Sequence, residues 1–325
     1  MRGRAGGGDL IPVPQPYTGL DPDTVLDAVA AHGFDPDGRL LALNSFENRV
    51  YQIGLDDGRF LVAKFYRPGR WSDAAITEEH AFAFELVEAE LPVVAPLRVD
   101  GASLLGHAGF RFALYPRRGG RAPELESAEH LAWMGRLLAR IHAIGARHPF
   151  AHRGRIDRAT LIEAPMRAVL ASPLLPVHLA SRYRDSVTRL DAAIAAREAA
   201  LPPLRQLRLH GDCHPGNVLW TDDGPHFVDL DDARMGPAIQ DLWMLAGDEA
   251  ALDALLEGYA EFRDPEPAER ALIPALRAMR QVHHAGWIAQ RWCDPAFPRA
   301  FPFAADARWW DEHLADIDEA TAALD

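Results

Sequence analysis

Apolar positions along the first hundred residues switch between two periods. In DPDTVLDAVAAHG (21–33) Val25, Leu26 and Val29 fall on one side, an aspartate stands at the N-cap and Gly33 ends the run, so the spacing predicts a short helix. The pattern then alternates through RLLAL, RVYQIGL (49–55) and RFLVAKFY (59–66), with Asp56-Asp57-Gly58 joining the last two as a hairpin turn. Helical spacing returns in WSDAAITEEHAFAFELVEAEL (71–91), capped by Ser72 or Asp73, and strands follow at APLRV and GFRFALYP (109–116).

After RRGGR the period becomes helical. SAEHLAWMGRLLARIHAIG (127–145) opens on Ser127 and closes on Gly145 as an amphipathic helix, and a second long helix covers 177–200. An apolar LRL (207–209) leads into HGDCHPGNVLW. Short strands NVLW and HFVDL flank TDDGP, and 237–325 reads as helices. The organisation expected is a tail over residues 1–20, rich in Gly and Pro and flexible, a sheet-rich lobe over 21–116, and a larger helical lobe over 117–325.

Composition bounds the function classes. The chain has 325 residues, 48% hydrophobic and 25% charged, with a net charge of −13. That balance suits a globular protein with a real core and argues against general nucleic-acid binding, which needs clustered Lys and Arg. Two cysteines, Cys213 and Cys293, imply no disulfide framework and fit a reducing compartment. No apolar h-region follows the first arginines and no run is long enough to cross a bilayer, so a cytoplasmic monomer is the expectation.

The chemistry concentrates at 210–232. Asp212 and Asn217 stand five residues apart, and Asp229 follows twelve later. A hairpin between them would return Asp229 to Asn217, giving one separate acid and a pair of hard-oxygen ligands suited to Mg²⁺. Phosphoryl transfer needs such parts, because its catalysis is largely positioning and charge neutralisation. Lys64 places a charge inside an apolar strand, and Glu78 or Glu79 on the next helix could pair with it; Glu79 is preferred, although the helix phase leaves the choice open. For Asp212, Asn217 and Asp229 alone, turns and caps are the competing reading. A zinc cluster of His210, Asp212, Cys213 and His214 is disfavoured, because four neighbours in five positions converge poorly on a tetrahedron.

HGDCHPGN followed by FVDLDD resembles the aminoglycoside phosphotransferase and choline kinase superfamily, which shares the protein-kinase fold. With LNSFENRVYQ, VAKFYRPGRW, EEHAF, FVDLDDARMGPAIQDLWML and RWCDPAFPRAFP occurring in order, the chain resembles a bacterial serine/threonine protein kinase branch of it, from about residue 18 to about residue 315. The resemblance implies an α+β, bilobal, protein-kinase-like fold, with a small antiparallel-sheet N-lobe and a larger, mostly helical C-lobe. It implies an ATP- and Mg²⁺-dependent kinase acting on Ser or Thr of proteins, itself included, in a stress response. Asp212 would be the catalytic base, with Asn217 and Asp229 as magnesium ligands. Lys64 would hold the α- and β-phosphates, Ser45 and Asn48 would sit over them, and Ala113 to Pro116, Tyr115 included, would meet adenine. Asp241 would brace the catalytic loop. NSFENR replaces a glycine-rich loop, Gly211 stands where many protein kinases have arginine, and DLD replaces D-F-G. A small-molecule phosphotransferase and a non-catalytic nucleotide-binding regulator remain as alternatives. The regulator is opposed by the presence of base, metal ligands and lysine together. With Asp231 and Asp232 near the cleft, the charge of −13 would favour basic peptide targets.

Overall fold

The hairpin expected at Asp56-Asp57-Gly58 forms the middle of the N-terminal part. In the computed structural model, which describes residues 15–324, helix α1 (Pro22–Ala30) precedes strands β1 (Pro36–Ala42), β2 (Arg49–Leu55) and β3 (Phe60–Phe65). Helix α2 (Asp73–Glu88) and strands β4 (Leu105–His107) and β5 (Phe110–Pro116) follow. The strands form one antiparallel sheet ordered β1-β2-β3-β5-β4. Lys64 lies opposite Val50 on one side and Ala113 on the other, so it stands in the centre of the sheet.

The Asp21 carboxylate accepts from Thr24 N at 2.8 Å and starts α1. The apolar face of that helix, Val25, Ala28 and Val29, packs on Ile53, Leu61, Phe65 and Phe112 of the sheet. Helix α2 starts on the Ser72 hydroxyl, which accepts from Ala75 N at 3.1 Å. Its Phe82 and Leu86 join the core of the remainder of the chain, so α2 links the sheet to the helices.

Two boundaries differ from expectation. Ala95–Val99 is not a strand; Pro96 offers no N–H, and the sheet edge is taken by β4 instead. The stretch read as a tail is docked from residue 15 onward: the Tyr17 hydroxyl donates to Glu47 O at 2.9 Å and its ring lies 4.3 Å from the Arg49 guanidinium. Residues 1–14 lie outside the described residues.

The remainder is mostly helical: α3 (Ala128–Gly145), α4 (Ala164–Ala171), α5 (Ala180–Ala199), α6 (Ile239–Trp243), α7 (Glu249–Ala260), α8 (Ile273–Arg291), α9 (Ala296–Ala300) and α10 (Ala307–Ala322). Between α5 and α6 lie β6 (Leu207–Leu209), β7 (Val218–Thr221), β8 (Gly224–Phe227) and β9 (Arg234–Gly236), paired β6 with β9 and β7 with β8. Helix α4 was not anticipated, because Pro165 interrupts its pattern. The proline sits in the first turn, where no N–H is needed, after a π-type turn over Ala159–Glu163. One core runs from Met134 and Leu138 through Leu209 and Phe227 to Val282, Trp310 and Leu314. Of the C-terminal tryptophans, Trp310 is fully buried, whereas Trp287, Trp292 and Trp309 pack against the core from its edge.

Candidate active site

Strand β6 delivers the chain to a loop held from below. The backbone amides of His210 and Gly211 each donate to the carboxylate of Asp241 at 2.9 Å, and His142 Nε2 lies 3.1 Å from the same group. Asp241 and His142 are fully buried, so α3 and α6 fix this loop through one carboxylate. The His210 ring is a scaffold part, with Nε2 2.9 Å from Val228 O. Gly211 has φ +85°, and a Cβ there would run into the carbonyl of Asp232. An arginine is excluded at this position by backbone geometry alone.

Asp212 is then turned toward the cleft. Its Oδ1 accepts from Arg280 Nη1 of α8 at 2.7 Å, and His214 Nε2 stands 3.5 Å from Oδ2. Burial pushes the Asp212 carboxyl up, but His214 and Arg280 outweigh it and hold the group below the usual carboxylate range. The group is therefore an ionised acceptor at neutral pH. Cys213 points inward, fully buried, with its thiol pushed well up by that burial. The Cys213 side chain turns into the core and the His210 ring toward Val228, away from the adjoining Asp212 and His214, so the four do not converge on one point. Among the described residues no group of three or more His, Cys, Asp or Glu is arranged to hold a metal.

The β7–β8 hairpin, with Val218 opposite Phe227, returns the chain to this loop. Asn217 Nδ2 donates to Asp212 O at 2.9 Å, and Asn217 O accepts from Val228 N at 3.0 Å, so Asn217 joins loop and hairpin. One residue later Asp229 takes φ +60° and ψ +63°, a left-handed conformation that costs a non-glycine residue on the order of 1 kcal/mol. The turn aims its half-exposed carboxylate at the sheet, where Oδ1 accepts from Lys64 Nζ at 2.7 Å. Lys64 also lies 3.5 Å from Asp231 Oδ1. Burial alone would lower the Lys64 pKa, but Asp229 and Asp231 raise it well above its ordinary value. With its amide nitrogen engaged, Asn217 keeps its carbonyl oxygen for a ligand, as Asp229 keeps its second carboxylate oxygen. These hard donors fit Mg²⁺.

The expected Lys64–Glu79 ion pair is not formed. Glu79 is buried beneath the sheet with Oε2 lacking a hydrogen-bond partner, and burial raises its pKa to about 7 against the pull of Lys64 and Arg153. Glu78 points elsewhere, accepting from the backbone N–H groups of Ala151, His152 and Arg153 at 2.5, 2.8 and 3.1 Å. Asn48 is also committed within the protein: Nδ2 donates to Asp231 Oδ2 at 3.0 Å and Oδ1 accepts from Arg67 N at 3.1 Å. Of the two side chains expected over the phosphates, only Ser45, half-buried in the β1–β2 turn, has its hydroxyl without a protein partner among the described residues. Ala113 is buried beside Lys64, and the Tyr115 hydroxyl lies 3.1 Å from that of Tyr66.

Arginines are the residues that sequence reasoning missed. Arg70 binds Asp231 and also Asp232, the latter at 2.7 Å, and Arg234 donates to Asp232 at 3.0 Å. Both acids stay ionised despite burial because of these cations. Buried Arg153 donates to the carbonyls of Ala75, Ala233 and Asp231, tying α2 to the segment after β8. Glu47 and Asp294 fasten the β1–β2 turn to the C-terminal helices. Glu47 accepts from Trp287 Nε1 and Arg291 Nε at 2.6 Å each, and Asp294 accepts from Arg49 and Arg67 at 2.7 Å. Arg70 lies in the quoted VAKFYRPGRW, where its type was the only signal. Nothing marked Arg280 beyond its place on the polar face of a helix.

Residues 39–274 match the model of a phosphotransferase enzyme family. The chain is 44% identical over 310 residues, 94% of each chain, to stress response kinase A of Escherichia coli (strain K12). It is equally similar, over the same shares, to serine/threonine protein kinase RdoA of Salmonella typhimurium. Among solved structures, an amicoumacin kinase in complex with AMP-PNP, Ca²⁺ and amicoumacin superposes with a TM-score of 0.73 at 18% identity, over 93% of each chain. A microcompartment-associated aminopropanol kinase superposes at 0.65 and 19%, over 92% of this chain and 99% of that one. At such identities the likeness concerns the fold.

Proposed function

Because this chain belongs to the phosphotransferase enzyme family and is a kinase of that fold, we propose that it transfers the γ-phosphate of ATP, with Mg²⁺, to serine or threonine hydroxyls of proteins, its own included. The observation that carries the transfer chemistry is the Lys64–Asp229 contact at 2.7 Å, which joins the sheet to a loop bearing Asp212 and Asn217. The protein acceptor and the role in stress rest on the 44% identity, over nearly the whole chain, with relatives carrying those names. No helix among the described residues is long and apolar enough to cross a membrane, in keeping with action on soluble proteins in the cytoplasm.

In this reading Lys64 leaves Asp229 to hold the α- and β-phosphates, while the Ser45 hydroxyl and nearby backbone amides cover them and the Ala113–Pro116 segment, with Tyr115, meets adenine. Asn217 and Asp229 hold Mg²⁺, which when bound supplies charge neutralisation at the transferring phosphate. Asp212 accepts a hydrogen bond from the acceptor hydroxyl, orients its oxygen for in-line attack and takes its proton as the new oxygen–phosphorus bond forms and the bond from the γ-phosphorus to the β,γ-bridging oxygen breaks, with ADP as the leaving group. Glu79 is the reserve partner for Lys64 once Asp229 turns to the metal.

The test is incubation of the protein with labelled ATP, Mg²⁺, a generic protein substrate and a panel of small alcohols. Label should appear on Ser or Thr of protein in the wild type, and Asp212→Asn should lose on the order of 10²–10⁴-fold in turnover while still binding ATP. Label on a small alcohol alone would replace the protein acceptor with a small-molecule one.

A further inference from the structure

The cleft differs in charge from the whole protein. Asp231 and Asp232 are covered by Arg70, Lys64 and Arg234, Glu47 by Arg67 and Arg291, and Asp294 by Arg49 and Arg67. Helix α8, which walls the cleft beside Asp212, has no acidic residue in its nineteen positions. It presents Arg277, Arg280 and His284 to solvent, while Arg291 at its end is mostly buried against Glu47. The acids near the acceptor position are thus already neutralised, and the adjoining surface is cationic although the chain carries −13.

Arg280 has a second property. Its guanidinium is 45% exposed and occupies Oδ1 of Asp212, while His214 stands near Oδ2. The Asp212 side chain keeps 27% exposure, so an acceptor hydroxyl that approaches Oδ1 competes with Arg280 for it, and another anionic partner for Arg280 would relieve that competition. Lys64 and Arg70 already face Asp229, Asp231 and Asp232, whereas Arg280 reaches Asp212 from α8.

We propose that Arg280 selects the acceptor, and that the phosphorylated hydroxyl lies in a segment carrying carboxylates, one of which draws Arg280 off Asp212 and so uncovers the base. This rests on the kinase reading above and specifies its substrate class: acidic rather than basic surroundings of the target hydroxyl. A basic segment would meet Arg277 and Arg280 unfavourably and leave the Arg280–Asp212 pair closed.

The experiment compares two serine peptides of equal length, one flanked by glutamates and one by lysines, with wild type, Arg280→Lys and Arg280→Glu, measuring kcat/KM for peptide and KM for ATP. Glycerate and ethanolamine, alcohols bearing a carboxylate and an ammonium group, are run alongside. A charge-assisted contact corresponds to roughly a tenfold or larger preference, so wild type should favour the glutamate peptide by at least that factor. Arg280→Lys should keep the sign of the preference, Arg280→Glu should reverse it, and KM for ATP should not move. Equal use of both peptides, or an unchanged preference in Arg280→Glu, overturns the proposal. So does a rise in KM for ATP with both peptides falling together, which would assign Arg280 to the nucleotide. If alcohols alone are labelled, the protein acceptor is wrong, yet the charge preference still decides: glycerate favoured and lost in Arg280→Glu upholds Arg280, and ethanolamine favoured refutes it.

Discussion

Asp241→Asn isolates the support of the catalytic loop from its chemistry, since Asp241 touches neither the proposed metal ligands nor the cleft. The wild-type carboxylate receives His210 N on one oxygen and Gly211 N on the other, both at 2.9 Å, with His142 also on the first. An amide offers an oxygen to only one of these N–H groups, and its NH₂ meets the other donor head-on. The change removes a charge-assisted hydrogen bond worth about 1.5–3 kcal/mol and leaves a buried N–H unpaired at about 1–3 kcal/mol. The two overlap, so the net loss should be roughly 2–4 kcal/mol. In a chain of 325 residues that lowers the melting temperature by about 3–6 °C. Relief of the clash must displace the loop, and a shift near 1 Å at Asp212 costs on the order of 10²-fold in turnover. Asp248→Asn is the control: that exposed carboxylate caps α7 by accepting Ala251 N at 2.8 Å, and asparagine caps equally well. Differential scanning fluorimetry and phosphorylation rates on both variants check the argument. An Asp241→Asn protein that melts and turns over like the Asp248→Asn control would refute the bracing role.

Gly211→Ala should unfold the loop locally and abolish turnover, because the left-handed φ costs about 1–2 kcal/mol and the added Cβ has only the Asp232 carbonyl to meet; normal activity in the variant would contradict that close approach. The pH dependence of stability should carry the signature of Glu79, whose pKa is raised from 4.5 to about 7 by burial. Between pH 4.5 and 7 the folded protein keeps a proton that the unfolded chain has released, so this group's contribution to stability falls as pH rises through that window and is level above it. The shift corresponds to about 3 kcal/mol, and urea midpoints of wild type and Glu79→Gln should converge or cross over that range; curves offset by a constant would mean that Glu79 is ionised throughout.

Much of this was legible because local rules and tertiary packing agree. Ser72, Asp57-Gly58 and Ser127 each announce an element that packing then uses, and the Asn217–Asp229 proximity follows from a four-residue hairpin with one turn signal. What was not legible depended on long-range partners. The phase of α2 could not distinguish Glu78 from Glu79, because the deciding contacts are backbone amides at 151–153, far along the chain. Asn48 looked free to meet phosphate because its partners, Arg67 and Asp231, lie 19 and 183 residues away. Helix α4 was hidden because a proline in the first turn looks the same in a sequence as one that ends a helix.

Net charge is a weak guide to the acceptor for a related reason. A net value of −13 sums over the entire surface, while the field at a cleft is set by charges within about a Debye length, roughly 8 Å at physiological salt. Within that range every acid singled out near the cleft, Asp231 and Asp232 foremost, has an arginine or lysine against it. A carboxylate so paired contributes little field, and the same holds for Arg280 and Arg291 of α8, which face Asp212 and Glu47, so that Arg277 is the α8 arginine without an acid against it among the described residues. The residues that look acidic in FVDLDD therefore orient cations, and in the proposal above it is Arg280 of α8, whose sequence carries no catalytic motif, that meets an approaching acceptor.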